Sequence, residues 1–552
     1  MSARIKERAP FFHLSLWERS ERVSTPGEGG AARPMMRPCG TTLTRRFAAT
    51  SPGGRGDVTA AQSPVLARMG RCPPGPPWSW FLSFVLASLS LLWPAFWNGY
   101  PLVFSDTGTY LSQAIQHYLG WDRPPFYSLF LLPLHMCITT WPAIAAQALL
   151  TVWVLRLVLR WLAPQVGPWR LVALTGVLAV ASPLPFVVAE LMPDLFTGLL
   201  TLALLVLVLA PERLARFERW GLVALVAFAM AAHLSNLPIG LGLLAVLLVL
   251  RRRLGAAAPL GRAGRMRLAA APALAIAALV AANLAGHGRA SIAPYGNVFL
   301  LARVIADGPG RDVLRRDCPR PGWALCAEAG RLPHSADAFL WRSDGPLVWA
   351  GGARRVSREA DAIIRAAVAA EPWRELRKAA GNTVRQLIRF RTGDGLRPWP
   401  ATVTPWLARD FPRFEQRTYA TARQTRGLRV VPPGLPALHL VAALAALGLC
   451  LAALPGALRR RAPIGGLIVA SLVVMVLNAG ITGALSGPHA RYQSRVMWLP
   501  VLAALVAGRR KQGQGAKPLG LASCFPPPSA GRLPRPRRPP YFHLHRPFSS
   551  LA

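Results

Sequence analysis

Apolar stretches of membrane-spanning length alternate with short polar connections along the middle of the chain. A helix needs about 20 predominantly apolar residues to cross a hydrocarbon layer of about 30 Å. About ten windows approach this length, which predicts an all-α polytopic membrane protein. The windows lie near residues 80–98, 141–162, 170–188, 193–210, 220–236, 238–250, 267–285, 436–455, 463–484 and 495–508.

The same pattern divides the chain into segments of different character. Residues 1–76 and 511–552 are rich in Arg, Pro, Gly and Ser without helical or strand periodicity, which predicts disordered basic tails. Residues 77–285 hold the first predicted transmembrane helices and the first outer loop, and residues 436–510 hold the last ones. Between them, residues 286–435 are long enough for an α-rich subdomain outside the membrane.

Charge decides the orientation of the predicted helices. Of 552 residues, 64 are Lys or Arg and 24 are Asp or Glu, yet the basic residues cluster between apolar runs, which argues against a nucleic-acid partner. Basic residues in short loops stay in the cytoplasm, and one consistent count puts every short cluster there. This count predicts a multi-pass membrane protein with both termini in the cytoplasm. The clusters are Arg156, Arg160 and Arg170; Arg213, Arg216 and Arg219; Arg251–Arg253, Arg262 and Arg265; Arg459–Arg461; and Arg509–Lys511.

The outer face then receives the polar first loop, which contains FSDTGTYL at residues 104–111. Asp106 is a lone carboxylate beside a membrane, a costly position that makes it a functional candidate. Tyr110, Ala114 and His117 predict a short amphipathic helix that ends by Gly120. An equally simple interpretation is that Asp106 caps this helix, and the two roles are compatible. The apolar run 126–136 predicts a re-entrant or interfacial segment.

An acid in the first outer loop, a following Tyr110 and the sequence RPPFYSLFL at 123–131 resemble the pattern of the GT-C membrane glycosyltransferases. These include protein O-mannosyltransferases and lipid A aminoarabinose transferases. The resemblance implies a GT-C-like helix arrangement, a polyprenyl-phosphate sugar donor, and Asp106 as the residue that activates or positions the acceptor. Many members carry a second acid in this loop, whereas Thr107 follows Asp106 here. The sequence therefore leaves the cofactor unknown and gives no clear acidic pair for a divalent cation.

Cations for the leaving phosphate are predicted in SGPHARYQSR, residues 486–495. His489, Arg491, Tyr492 and Arg495 lie on the outer side by the topology count, and Arg forks bind phosphate oxygens with paired hydrogen bonds. Arg123 is a further candidate ligand, with Asp122 beside it as a neutralising charge. The alternative is that Arg495 snorkels to the interface and Arg491 contacts lipid headgroups.

Two outer turns add weaker candidates. Glu190 and Asp194 lie among prolines, in a turn where a surface charge needs no function, so they rank as secondary sites with Tyr110. The HLSNLP turn, with His233 and Ser235, is interpreted as a polar capping cluster.

The exported segment contains Cys318 and Cys326, which predict a local disulfide in an oxidising compartment. No metal-ligand spacing accompanies them, and no metal site is predicted. Trp323, Trp341 and Trp349 are interpreted as core residues of this segment.

Taken together, these features predict a membrane glycosyltransferase that moves a sugar from a polyprenyl-phosphate donor to a lipid, glycan or protein acceptor on the outer face. The alternative is a secondary transporter or lipid flippase, whose cargo site forms at broken helices near the bilayer midplane. The polar candidates gather at one face, no inverted repeat is visible, and a long exported segment interrupts the helices. These features weigh against the transporter.

Overall fold

A computed structural model describes residues 76–512, apart from 165, 166 and 257. The tails predicted to be disordered lie outside the described residues. Within these residues the protein is helical, with no β-strand and one isolated bridge between Leu102 and Glu190. The described residues before Gly508 form one compact unit, to which the packing below refers.

Twenty-two α-helices follow one another along the described chain, with two short 3-10 helices at Pro211–Arg213 and Ala324–Arg331. They are α1 Pro77–Leu91, α2 Trp93–Asn98, α3 Thr107–Ile115, α4 Phe126–His135, α5 Trp141–Leu162, α6 Pro168–Ala181, α7 Leu184–Ala189, α8 Leu195–Leu209, α9 Arg216–Ala232, α10 Asn236–Leu250, α11 Arg262–His287, α12 Gly296–Asp307, α13 Pro309–Asp317, α14 Ala336–Trp341, α15 Pro346–Trp349, α16 Gly352–Ala370, α17 Pro372–Ile388, α18 Pro400–Asp410, α19 Arg413–Thr421, α20 Leu435–Arg459, α21 Ile464–Leu485 and α22 Ala490–Gln512.

Four of the described helices, α5, α11, α20 and α21, are long and apolar enough to cross a membrane. Other apolar windows form shorter helices or broken pairs. The window 80–98 becomes α1 and α2, and the window 170–188 becomes α6 and α7, with Pro94 and Pro183 next to the breaks. Proline removes a backbone donor and favours the first turn of a new helix, which explains both interruptions. The count of about ten spans stays a prediction.

One end of the helix bundle carries basic connections. Arg160, near the end of α5, donates to the Glu218 carboxylate at the start of α9 with its Nη1 2.9 Å from Oε1, and it also donates to the backbone carbonyl of Arg213. Arg251, after α10, donates to the carbonyl of Val208 at 2.9 Å. Connections that the sequence assigns to the cytoplasm therefore meet at a shared end of the bundle.

Two hydrophobic cores divide the segment 286–435. A smaller core contains buried residues from Tyr295 to Ala367. Val403, Leu407 and Phe411 instead belong to the main core, with the long apolar helices. Only the first part of the predicted subdomain thus has a core of its own.

The first outer loop differs in detail from the sequence prediction. Helix α3 ends at Ile115, and His117 has φ of 52°, so His117 does not share a helical face with Tyr110. A left-handed residue ends helical hydrogen bonding, which explains the earlier stop. The run 126–136 contains a ten-residue helix, α4, whose Tyr127 packs edge-on against Tyr110 at 5.0 Å between ring centroids.

Helix α3 approaches α18 at Gly108. A Cβ atom added there would lie 1.7 Å from the backbone oxygen of Thr402 and 2.8 Å from the Trp406 ring. Such a contact cannot be relieved by rotating a side chain. Gly108 therefore allows the helix that follows Asp106 to pack on the segment that carries α18.

We expect Gly108→Ala to destabilise the purified protein by at least about 2 kcal/mol, because overpacking against backbone forces the helices apart. Thermal unfolding followed by tryptophan fluorescence measures the effect. Gly176→Ala in α6 is the matched control, since its Cβ would meet nothing within 4 Å. Equal unfolding temperatures for the two variants would contradict the close approach of α3 and α18.

Candidate functional site

Backbone pairing ties the first outer loop to the turn between α7 and α8. The Leu102 N–H donates to the Ala189 carbonyl at 2.9 Å, and the Leu191 N–H donates to the Leu102 carbonyl at 2.8 Å. Thr107 accepts a hydrogen bond from the Phe104 N–H and donates to the Leu191 carbonyl at 3.2 Å. The two acidic regions singled out in the sequence therefore lie side by side.

Asp106 occupies the N-cap position of α3, but its side chain makes no capping hydrogen bond. Its Oδ2 instead accepts from Arg123, at 2.7 Å from Nη2 and 3.1 Å from Nε, and its Oδ1 accepts from the Ser105 hydroxyl at 3.1 Å. Burial alone would raise the pKa of the Asp106 carboxyl, but Arg123 and Arg491 outweigh burial and lower its pKa. Asp106 is therefore a charged acceptor, and the capping interpretation of its side chain is wrong.

Arg123 is fixed from several sides. Its Nη1 donates to the backbone carbonyl of Asp122 at 3.0 Å, and its guanidinium lies 5.5 Å from the centre of the Trp341 ring. The Asp122 carboxylate takes no direct part in this pairing. A guanidinium with both nitrogens of one edge on Asp106 holds that carboxylate in one orientation.

Arg495 is fully buried, so the snorkelling interpretation is wrong. Its donors are nearly all used: Nη1 bonds Asp194 at 2.9 Å, Nε and Nη2 bond the Asn478 oxygen at 3.1 and 2.7 Å, and Nη2 bonds Ser235 at 2.9 Å. Nη1 also lies 3.4 Å from Nε2 of His233. With its five N–H donors so engaged, Arg495 positions its neighbours and is poorly placed to bind phosphate directly.

Asp194 is more central than its rank as a secondary candidate suggests. It is buried, and it receives Arg495 on Oδ1 and lies 3.7 Å from Nη1 of Arg491 through Oδ2. Asn478 and the HLSNLP turn were not predicted as site residues. A signal existed for Asn478, since an amide within an apolar helix is costly unless it is bonded.

Arg491 links the two acidic regions. Its Nη2 lies 3.9 Å from Asp106 and its Nη1 lies 3.7 Å from Asp194, which are ion-pair rather than hydrogen-bond distances. Phe104 and Tyr492 flank the guanidinium, at 4.0 and 4.9 Å from their ring centres. Nη1 is buried and has no hydrogen-bond partner among the described residues. A buried cationic donor without a hydrogen-bond partner favours binding of an anion.

His489, which was also predicted to bind phosphate, contacts a different neighbour. Its Nε2 lies 3.5 Å from Asp337 of α14, while its backbone N–H donates to Gln386 at 2.8 Å. The adjacent Tyr492 packs edge-on against the His489 ring at 5.3 Å. His489 therefore borders the cluster of Asp106, Asp194 and Arg491 without joining it. Tyr110 is buried and packs against Tyr127, which gives it a positioning role.

A small cavity that opens to solvent lies against this cluster and is called the arginine cavity below. Its wall includes three guanidinium side chains and three carboxyls, among them Glu190. Burial first, and then Asp194, raise the pKa of Glu190 to about 8, so this carboxyl is mostly protonated at neutral pH. The cations then outnumber the carboxylates. The charged residues of the wall are Arg391, Arg491, Arg495, Glu190, Asp194 and Asp394.

The carboxylates of the site do not suit a divalent cation. Asp106 is bonded to Arg123, and Asp194 is bonded to Arg495, whereas a hard cation needs oxygen ligands free of such partners. No group of three His, Cys, Asp or Glu side chains within the described residues is arranged to hold a metal. The structure joins Cys318 and Cys326 in a disulfide within the segment 286–435.

The fold and the site together define a helical protein with four helices able to cross a membrane and an acid–arginine cluster near the ends of other helices of the same bundle. Asp194 precedes α8, Ser235 precedes α10, and Arg495 lies in the second turn of α22. No family model, curated protein or solved structure matches the chain.

We expect Asp194→Asn to lower the free energy of unfolding by about 3–5 kcal/mol, because it leaves the buried Arg495 charge without its partner. Asp312→Asn is the matched control, since its pair with Arg374 is exposed and worth about 0–1 kcal/mol. Chemical denaturation in detergent measures both. Equal losses of unfolding free energy in the two variants would contradict the pairing of Asp194 with a buried Arg495 charge.

The raised pKa of Glu190 predicts how the free energy of unfolding depends on pH. Its pKa in the folded state is raised from 4.5 to about 8, so proton binding favours the folded state. The stabilisation is complete below pH 4.5 and is lost as the pH rises through 8. We expect the unfolding temperature to fall between pH 5 and pH 8, and Glu190→Gln to reduce this fall. An unchanged slope in Glu190→Gln would contradict the burial of the carboxyl.

Proposed function

We propose that the protein is an integral membrane glycosyltransferase that moves a sugar from a polyprenyl-phosphate donor to an acceptor on the outer face of a bacterial inner membrane. The observation that carries the proposal is the charged Asp106 carboxylate, set between Arg123 and Arg491 beside a cavity with excess positive charge. The resemblance of the first loop to GT-C enzymes supports the same activity. Both arguments support chemistry at the same end of the helix bundle.

The arginine cavity suits the phosphate of the donor. A phosphate oxygen would supply the hydrogen-bond acceptor that Nη1 of Arg491 lacks, and Arg391 lines the same wall. Arg forks bind phosphate oxygens with paired, charge-assisted hydrogen bonds. Arg495 bonds Asp194, and Asp194 lies at ion-pair distance from Arg491. Arg495 therefore fixes the position of Arg491, the side chain that would bind the phosphate.

Asp106 would act as the base during transfer. The acceptor hydroxyl oxygen forms a bond to the anomeric carbon while the bond from that carbon to the phosphate oxygen breaks. The electron pair of the broken bond leaves with polyprenyl phosphate, and the acceptor proton moves to an Asp106 oxygen. The leaving phosphate is stabilised by Arg491, which is already in place before the charge develops.

A lowered pKa is compatible with this role. Glycosyl transfer passes through a cationic, oxocarbenium-like sugar, so the attacking hydroxyl loses its proton late and a weak base is sufficient. Arg123 keeps the carboxylate ionised and turned toward one direction.

The proposed site lies at the helix ends opposite the basic connections around Arg160 and Arg251. This position supports an enzyme that works at the outer face, with both chain termini in the cytoplasm. A transporter would bind its cargo near the middle of its helices. Asp194, His233 and Ser235 instead contact Arg495 from next to the ends of α8, α9 and α10, and Asn478 contacts it about two turns before the end of α21.

The test compares lipid extracts by mass spectrometry from cells that lack the gene and carry the wild-type protein, Asp106→Asn or Arg491→Met. Loss of a base costs about 10²–10⁴-fold in rate, so a polyprenyl-phosphate sugar should accumulate with Asp106→Asn as in the null strain. Asp312→Asn, which alters an exposed carboxylate outside the site, is the matched control. Cells that carry this variant should consume the donor lipid as wild-type cells do.

Equal membrane levels of all variants are checked by immunoblotting. Full complementation by Asp106→Asn would show that the reaction does not need the Asp106 carboxylate. If no lipid-linked sugar differs between the null and wild-type strains, the transferase proposal fails and transport of lipid or sugar becomes the function to assay.

A further inference from the structure

Helix α17, Pro372–Ile388, exposes a row of large apolar side chains. Trp373, Leu376, Val384 and Ile388 are 78%, 58%, 58% and 75% exposed. Since successive residues of a helix are about 100° apart, these four positions fall within about 120° of one another. They form one continuous stripe, called the α17 stripe below. Large apolar side chains that are exposed together mark an interaction surface.

The opposite face of α17 is buried and polar. Glu375, Asn382 and Gln386 lie on this face. Glu375 accepts a hydrogen bond from Arg303 of α12 at 2.6 Å. Gln386 donates to the backbone carbonyl of His489 at 2.9 Å and accepts from its N–H at 2.8 Å. These bonds fix the rotation of α17, so the α17 stripe cannot turn toward the protein.

The helix against which α17 packs indicates what lies beside the stripe. The two helices approach closely at Gly483 of α21, where an added Cβ atom would lie 2.7 Å from the carbonyl oxygen of Asn382. Helix α21 is long and apolar enough to cross a membrane. Val476 lies about two turns before Gly483 on the same face of α21, and it is 56% exposed. Helix α17 therefore covers the end of a face that is open at Val476, where a helix that crosses the membrane would meet lipid.

One edge of the α17 stripe is basic. Four cations have no acidic partner within the described residues, while the one acid of α17, Glu375, is buried against Arg303. Three of the four lie in a row between the stripe and the buried face, and Arg377 emerges within the stripe, from which a long side chain can reach outward. The four are Arg377, Lys378, Arg385 and Arg389, the last just past the end of the helix. An apolar stripe bordered by Lys and Arg is typical of a helix in the headgroup layer of a bilayer.

We infer that α17 lies in the headgroup layer at this end of the bundle and binds an anionic phospholipid, with the stripe among the acyl chains and the basic edge on the lipid phosphate. A lipid surface suits both parts of the helix at once, because acyl chains cover the apolar side chains and the phosphate faces the cations. A second copy of the chain packed on the stripe would leave the four cations without a counter-charge.

The position of α17 also bears on the arginine cavity. The chain continues from α17 into the wall of that cavity at Arg391. A helix anchored in the headgroup layer would therefore hold this wall near the level of the lipid phosphates. Lipid binding by α17 does not depend on glycosyl transfer.

The first measurement uses the full chain in nanodiscs of phosphatidylcholine with a minority of phosphatidylglycerol. The photo-cross-linking residue p-benzoylphenylalanine replaces Val384 or Ile388, and its adducts are identified by mass spectrometry. We expect lipid adducts at both positions, as at the exposed Val476 of α21, which is the positive control. The same residue in place of Arg316, which is exposed among the charged side chains of α13, is the negative control and should give no lipid adduct.

The second measurement is the share of phosphatidylglycerol among the lipid adducts at Val384. We expect this share to exceed that of the bilayer at least about threefold, because Lys and Arg near the surface attract anionic headgroups. Arg377→Gln combined with Lys378→Gln should lower the enrichment at least about twofold. Arg358→Gln combined with Arg365→Gln, at two exposed positions of α16, is the matched control and should leave the enrichment unchanged.

Unfolding temperatures are compared for every variant, so that loss of the fold is not taken for loss of binding. The absence of lipid adducts at Val384 and Ile388, while Val476 forms them, would overturn the inference, because the stripe would then lie in water. Adducts between two copies of the chain would overturn it in favour of a dimer. Phosphatidylglycerol at its bilayer share would also overturn it, since the basic edge would then select no anionic lipid. These measurements need neither donor nor acceptor, so their result is independent of the Asp106→Asn test of transfer.

Discussion

The buried guanidinium of Arg495 is the constraint on which the rest of the site depends. A charge without solvent is tolerated only when its hydrogen bonds are satisfied, and here Asp194 and Ser235 satisfy them from two helix ends and Asn478 from within α21. Because these partners must converge on one point, α8, α10, α21 and α22 are held in register at that end of the bundle. Arg491, one helical turn earlier on α22, is thereby directed to the first outer loop.

That loop reaches the same point by a different route. The Leu102–Glu190 bridge is an isolated piece of extended pairing in a helical protein, and it places the start of α3 beside the turn that carries Asp194. Gly108 then lets α3 lie close to α18. The electrostatics follow from this packing: Asp106 stays charged because two arginines from distant parts of the chain are brought to it, while Glu190 lacks such a partner.

Much of this arrangement was predictable from periodicity and charge. The apolar windows correspond to helices or helix pairs, the basic connections share one end, and the polar candidates Asp106, Asp194 and Arg491 share the other. The prediction failed where a role depends on contacts across the fold. Arg495 and a snorkelling arginine have the same local sequence pattern, and only its neighbours distinguish them. The sequence likewise gives no signal that Trp341 packs against Trp121 of the first outer loop and not within a core.

The order of synthesis gives the Asp194–Arg495 pair a further consequence. The two residues are 301 positions apart, so Asp194 leaves the ribosome roughly 15 to 60 seconds before its partner, at the usual 5–20 residues per second. During that interval the carboxylate stands at the end of an apolar helix without its counter-ion. Assembly of the helices can be completed only when α22, the last described helix, arrives, and a chain cut short before it would expose an unpaired acid to cellular quality control.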